Sequence, residues 1–269
     1  MGRHPFRLVV RLLWLGWVIF SGMVALAWFL RIGKSAENDS RIAWMQWMSR
    51  RFLSVLHAEI TITGTVPFHG LIACNHLAYV DILVLGSICP AIFVAKSDVV
   101  TWPVFGWLAS RAGTIFVSRD APAKVAAQLR EIEQPLREGR PVILFPEGTS
   151  SDGSQILPFR SSLLESAIIT GAPVTPVAIG YDLQGEGDVE TEVAYWGDLV
   201  LLPHLINLLS KTSFHARLSF GQTRPPLPDR KQETRLLQEE VRLLHSSLVG
   251  SAGLTERANR SCEESFSHI

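Results

Sequence analysis

The chain has 269 residues, 47% of them hydrophobic, and sets 25 basic side chains against 25 acidic ones. That supplies one sizeable core with appendages; a formal charge of zero and the lack of any Lys/Arg run leave no polyanion groove, so nucleic acid is not an expected partner. Cys74, Cys89 and Cys262 are widely spaced without a C-x-x-C pair, and no histidine falls in an H-E-x-x-H spacing, so the composition suggests a reducing compartment, no disulfide scaffold and no metal.

Leu12 to Leu30 is an uncharged run of 19 residues, close to the roughly 20 that span hydrocarbon as a helix. Residues 1–35 therefore read as a membrane anchor. A signal peptide is the competing reading, since Arg3, Arg7 and Arg11 make a basic front and "ALA" at 25–27 resembles a cleavage site. Trp28, Phe29 and Leu30 continue the apolar run past that point, which favours retention. Arg31, Lys34 and Arg41 balance the first three arginines, so positive charge does not fix topology. Residues 36–58 form an amphipathic, membrane-proximal helix, with Trp44, Trp47, Met48, Phe52 and Val55 at helical spacing. That face points either to lipid, with Arg41, Arg50 and Arg51 at the headgroups, or into the core of the following domain.

From residue 59 short apolar runs alternate with helical stretches, the pattern of an α/β domain with a mixed sheet flanked by helices, over 59–249. Strands are expected at "EITITG", "GLIACN", "AIFVA", "TIFVS", "PVILFP", "VTPVAIGY", "ETEVAYW" and "HARLSF". Helices are expected over 123–138, where Pro135 ends or bends the helix, over 161–170, and from about Arg230 to Leu248, with Leu237, Val241, Leu244 and Leu248 on one face. The small, polar stretch 250–269 reads as a disordered tail. No repeat or linker divides the domain.

"GLIACN" runs into "NHLAYVD", so His76 falls at the carboxyl end of a strand, the edge at which open α/β sheets bind ligands. On a continuous helix five residues turn through about 500°, which would part His76 from Asp81. The two meet only if the chain turns before Asp81 enters a helix. The carboxylate then holds one imidazole nitrogen and leaves the other as a base. No G-x-S-x-G elbow is present, so the activated hydroxyl would belong to a substrate, as in a transferase. On spacing alone, a helix cap and its neighbour explain the same pair. Further on, "FPEGTSSDGS" places Glu147, Gly148 and Thr149 in a turn able to aim N–H groups and a hydroxyl at an anion, although a simple turn reads the same way. Between them "GTIFVSR" brings Arg119 to the same edge, as a bidentate phosphate clamp or as a surface arginine.

The ordered set "NHLAYVD", "GTIFVSR", "FPEGTSSDG" and "VTPVAIGY" resembles the four sequence blocks of the glycerolipid acyltransferase family, whose familiar members are the 1-acylglycerol-3-phosphate O-acyltransferases. The resemblance implies transfer of a fatty acyl group from acyl-CoA or acyl carrier protein, without a cofactor, to the free hydroxyl of a lysophospholipid. It also implies a membrane location, the bacterial inner membrane with the site facing the cytoplasm, and contacts with membrane lipids. His76 would be the base and Asp81 its orienting carboxylate. Asn75, Arg119, Glu147, Gly148 and Thr149 would hold substrate, and Pro176 would shape the donor side. The first acceptor implied is 1-acyl-sn-glycerol-3-phosphate, giving phosphatidic acid. Ser150 departs from that pattern, since many phosphatidate-forming members read F-P-E-G-T-R. Either Arg160 or Arg119 compensates, or the acceptor differs. "GTSSDGS" followed by "LPFRSSLLE" resembles members associated with lyso-ornithine lipid. A lipid-binding protein without turnover and a lipid esterase are the readings from other classes. Trp102, Phe105 and Trp107 are candidates for an acyl-chain pocket, membrane contact or plain core.

Overall fold

A computed structural model describes residues 5–32, 37–118, 122–184 and 187–266. Arg3 and Arg119 lie outside the described residues. The helices are α1 (Pro5–Ile32), α2 (Glu37–Leu56), α3 (Val80–Ile88), α4 (Phe105–Arg111), α5 (Pro122–Arg137), α6 (Ser161–Thr170), α7 (Val189–Glu192), α8 (Leu201–Ser210) and α9 (Arg230–Phe266). The strands are β1 (Glu59–Thr63), β2 (Gly70–Cys74), β3 (Ile92–Lys96), β4 (Ile115–Val117), β5 (Pro141–Leu144), β6 (Val174–Gln184) and β7 (Ser213–Phe220).

These strands form one 7-stranded sheet in the order β1-β7-β6-β2-β5-β3-β4. It is mixed: β6 through β4 run parallel, while β7 pairs antiparallel with β6 and parallel with β1. Helices cover both faces, so the central strand β2 is buried at every position and reads as a continuous apolar run. Its side chains alternate between two cores. Ile72 and Cys74 join the layer of α1, α2, α3 and α8, whereas Leu71 and Ala73 join that of α5, α6 and α9.

The first layer settles what α2 faces. Trp44, Met48, Phe52 and Val55 are buried within the protein rather than turned to lipid. Trp44 donates its Nε1–H to the Gly22 carbonyl of α1 at 2.8 Å. A Cβ on Gly22 would meet Met48 Sδ at 2.2 Å, so a larger residue there would have to displace the end of the Met48 side chain. Within α1, Pro5–Phe29 is long and apolar enough to cross a membrane, with mean hydropathy 2.0. One stripe of it packs on the domain through Arg11, Leu15, Val18 and Leu26, while Phe6, Leu13, Trp17 and Trp28 stand exposed. Arg11 is consumed in that packing: its guanidinium donates to the Leu209 carbonyl at 3.1 Å and the Thr212 carbonyl at 2.8 Å. It caps the C-terminus of α8, where cations are favoured, rather than marking a membrane flank.

Seven of the eight expected strands form. "ETEVAYW" does not: Asp188 caps the short α7, and Val193 and Ala194 then bury completely in an irregular segment. β6 is already paired on both edges, so the sheet offers no place for another strand beside it. Pro135 sits in the last turn of α5, which ends two residues later. α9 buries Leu237, Val241 and Leu248 as expected, but continues past Leu248 to Phe266.

Candidate active site

β2 ends at Cys74, and the next residue fixes how the chain leaves the sheet. The Asn75 carboxamide donates to the Ile179 carbonyl at 3.0 Å and accepts from the Ile179 N–H at 2.8 Å. Asn75 therefore ties the strand end to β6 from a buried position. Residues 76–79 turn before α3 begins, which allows the meeting that a continuous helix would forbid. His76 Nδ1 lies 2.7 Å from Asp81 Oδ2. The same oxygen accepts the N–H groups of Leu77 at 2.7 Å and Ala78 at 3.0 Å. Asp81 is thus both the anion at a helix N-terminus and the orienting partner of the histidine. It is fully buried, and Tyr181 donates its hydroxyl to Oδ1 at 2.5 Å. Burial and the neighbouring Asp81 push the Tyr181 phenol well up, which keeps it a donor.

The His76 ring stacks on Phe145, with centroids 4.1 Å apart and planes 18° apart. With Nδ1 donating to Asp81, Nε2 carries the free lone pair and has no hydrogen-bond partner among the described residues. His76 belongs to the wall of an open cavity of about 250 Å³ that also includes Gly148, Thr149, Ser150, Lys96 and Tyr195. Tyr79, Ile82, Val99 and Trp102 are shared with a neighbouring apolar pouch reaching Trp44, Met48 and Phe105. Trp102 and Phe105 therefore line a pocket, whereas Trp107 is 40% exposed outside it.

Three loops are sewn together behind this cavity. Gly148 takes φ +72°, which closes the turn through its N–H on the Phe145 carbonyl at 3.0 Å. Ser151 N–H donates to the His76 carbonyl at 2.9 Å, and Tyr195 N–H to the Leu77 carbonyl at 2.8 Å. Ser150 Oγ donates to the Tyr195 carbonyl. The Tyr79 hydroxyl lies 3.1 Å from His204 Nδ1, and His204 Nε2 lies 3.1 Å from the Ala194 carbonyl. Since a carbonyl only accepts, Nε2 carries the proton and Nδ1 accepts from Tyr79; burial lowers the His204 pKa, in keeping with a neutral ring.

The remaining sequence candidates divide. Thr149 and Gly148 line the cavity. Glu147 is buried behind it, its Oε1 accepting the His76 N–H at 3.3 Å and its Oε2 unpartnered. Arg160 is exposed in an adjacent hollow with Ser118 and Gln128, separated from the cavity by the shared residues Val117 and Leu163. Tyr181, Phe145, Lys96 and Tyr195 were not foreseen. Only Tyr181 left a signal: Val177, Ile179 and Tyr181 have one parity on β6, which puts a phenol among core residues where its hydroxyl needs a partner.

Burial pushes the Glu147 carboxyl from its ordinary 4.5 up to about 8, against the opposing pull of the His76 and Leu157 N–H groups. The folded chain then holds a proton that the unfolded chain has released between those two values. Stability from this group is therefore full below about 4.5 and declines as pH rises through 8. Glu147→Gln keeps an acceptor for His76 and removes the titration. In thermal melts its Tm is expected to exceed that of wild type at pH 8, with the gap closing as pH approaches 4.5.

A histidine paired with a buried carboxylate, set at a sheet edge beside a cavity with an apolar annex, is an arrangement able to activate a hydroxyl for group transfer. Comparison with known proteins gives the class a family. The family model described as Acyltransferase matches residues 59–180. The lyso-ornithine lipid O-acyltransferase of Pseudomonas aeruginosa is 35% identical over 218 residues, covering 78% of this chain and 80% of that one. Its Rhizobium meliloti counterpart is 36% identical over 222 residues, 75% of each chain. The 1-acyl-sn-glycerol-3-phosphate acyltransferase of Neisseria meningitidis is 29% identical over 202 residues, 72% of this chain and 78% of that one. Among solved structures, the 1-acyl-sn-glycerophosphate (LPA) acyltransferase PlsC from Thermotoga maritima shares the fold, with a TM-score of 0.67 over 91% of this chain and 97% of that one at 19% identity. The chain belongs to the Acyltransferase family.

Proposed function

We propose that the protein transfers a fatty acyl group from acyl-CoA or acyl carrier protein to the free hydroxyl of a membrane lysolipid, with lyso-ornithine lipid as the acceptor. The observation that carries the chemistry is the His76–Asp81 pair in the wall of the cavity, with Nδ1 held by the carboxylate. His76 Nε2 takes the proton of the acceptor hydroxyl as that oxygen attacks the thioester carbonyl, and Asp81 offsets the charge on the imidazolium. Collapse of the tetrahedral intermediate forms the ester and expels the thiolate, which takes the proton back from His76. No enzyme nucleophile is required, and the nearby hydroxyls support that reading: Ser150 and Ser151 are each hydrogen-bonded to a main-chain carbonyl. The apolar pouch would take the acyl chain.

Ser150 supports the choice of acceptor. Where F-P-E-G-T-R places a guanidinium for the acceptor phosphate, this chain uses a short hydroxyl to tie the turn to Tyr195. Both lyso-ornithine relatives favour the same reading. The second reading, 1-acyl-sn-glycerol-3-phosphate as acceptor, is favoured by Lys96 in the cavity wall and by the Neisseria relative. Arg119 and Arg160 would serve either headgroup. The exposed apolar face of α1 supports membrane attachment, which we place at the bacterial inner membrane with the cavity toward the cytoplasmic donor. The lipid profile of a deletion strain tests the acceptor. Accumulation of lyso-ornithine lipid is expected, whereas accumulation of lysophosphatidate alone would overturn that assignment.

A further inference from the structure

Apart from α1, the most conspicuous exposed apolar surface lies beside the cavity mouth. Trp196, Leu199, Val200 and Leu202 follow one another through the loop into α8, and Val200 and Leu202 are each 64% exposed. Across the mouth, Val104 and Trp107 are exposed on the turn and helix of the 104–107 segment. The Trp102 and Tyr195 rings, 5.9 Å apart in an edge contact, join the two segments, and both residues line the cavity that holds His76. In water such a rim is unfavourable, because each large apolar side chain keeps its surface hydrated.

We propose that this rim is a bilayer-docking surface, distinct from α1, that seats the cavity mouth in the lipid headgroup–acyl boundary. It rests on the lysolipid reading above, since an acyl chain must leave the bilayer to enter the pouch. Continuity with α1 carries the choice of occupant: α8 presents Leu202 at its N-terminal end and packs on α1 at its C-terminal end, through the Arg7 and Arg11 hydrogen bonds to Ser210 and Leu209, so a single ten-residue helix links the rim to the exposed apolar α1. Its polar details suit an interface rather than a protein partner. Trp196 gives its Nε1–H to the Glu190 carbonyl at 3.1 Å, so the indole can enter an apolar phase without losing a partner. The Arg111 guanidinium lies 5.6 Å from the centre of the Trp107 ring, a cation at the level of anionic headgroups. Asp198, exposed in the same loop, keeps the insertion shallow. Val104 holds φ +63°, a conformation that costs a β-branched residue and sets its side chain on the rim.

The test uses the full chain on vesicles of phosphatidylcholine and phosphatidylglycerol. An environment-sensitive probe on Val200→Cys, in a Cys262→Ser background with Cys74 and Cys89 buried, is expected to shift to the blue and be quenched by brominated lipid. In parallel, the double variant Val200→Asp/Leu202→Asp is expected to acylate a vesicle-embedded lysolipid about tenfold less efficiently, with unchanged turnover of a short-chain, monomerically soluble one. Leu243→Asp, on exposed α9 across the sheet, should match wild type on both. A probe at 200 that stays in water while the protein is vesicle-bound would overturn the proposal, as would equal losses on both acceptors. If no lysolipid is acylated at all, the functional reading fails and the probe still decides the docking.

Discussion

Asp81→Asn is expected to fold normally and to lose on the order of 10²–10³-fold in kcat, with little change in KM. The fold survives because an amide can meet the same demands. Its oxygen still accepts the Leu77 and Ala78 N–H groups that hold the turn together. Its NH2 faces the Tyr181 hydroxyl, which can accept as well as donate. With the amide oxygen held in place by two main-chain donors, His76 keeps its Nδ1–H bond and its tautomer. What disappears is the negative charge facing the imidazolium in a fully buried setting. That charge matters only once His76 has taken the proton, so the loss falls on the transition state rather than on binding. Steady-state kinetics with matched melts check it: a variant that unfolds, or one that loses affinity instead of kcat, contradicts this division of roles.

His76→Ala should cost more, about 10³–10⁴-fold in kcat, because it removes the proton acceptor itself. The histidine is an edge residue of the core with a 19% exposed side chain, so truncation leaves mainly the face of Phe145 uncovered. Asp81 keeps three donors, from Leu77, Ala78 and Tyr181. Since Asp81 acts through His76, the two substitutions should not add: in the double variant kcat is expected to match that of His76→Ala alone.

The parts of this arrangement written in local sequence were legible, and the parts made by distant contacts were not. β2 and β5 announced themselves because a strand covered on both faces is a plain apolar run, and the His76–Asp81 turn was inferable because a five-residue spacing excludes a continuous helix. The tie of Asn75 to the Ile179 main chain could not be read locally, because its partner lies 104 residues away. Glu147 likewise braces the His76 backbone instead of facing the cavity. Val193–Tyr195 looked like a strand, since two buried apolar residues beside tyrosine fit a strand equally well when nothing local reveals that the sheet edge is already taken. Ser150 was the reverse case: its departure from the familiar block was plain in the sequence, but the reason, a hydrogen bond to the Tyr195 carbonyl, required the fold. The sequence leaves α2 open between lipid and core, and the packing of Trp44 and Met48 against α1 is a tertiary contact that no local pattern encodes.

In the proposed reaction His76, oriented by Asp81, activates the hydroxyl of a lysolipid for attack on an acyl thioester. Single-turnover transfer, with the purified protein in vesicles and saturating donor and lyso-ornithine lipid, tests it most directly in wild type and His76→Ala side by side. Wild type is expected to form the ester product in the first turnover, with His76→Ala about 10³-fold slower or worse at unchanged donor binding. A His76→Ala protein that transfers the acyl group at the wild-type rate would show that His76 is not the base.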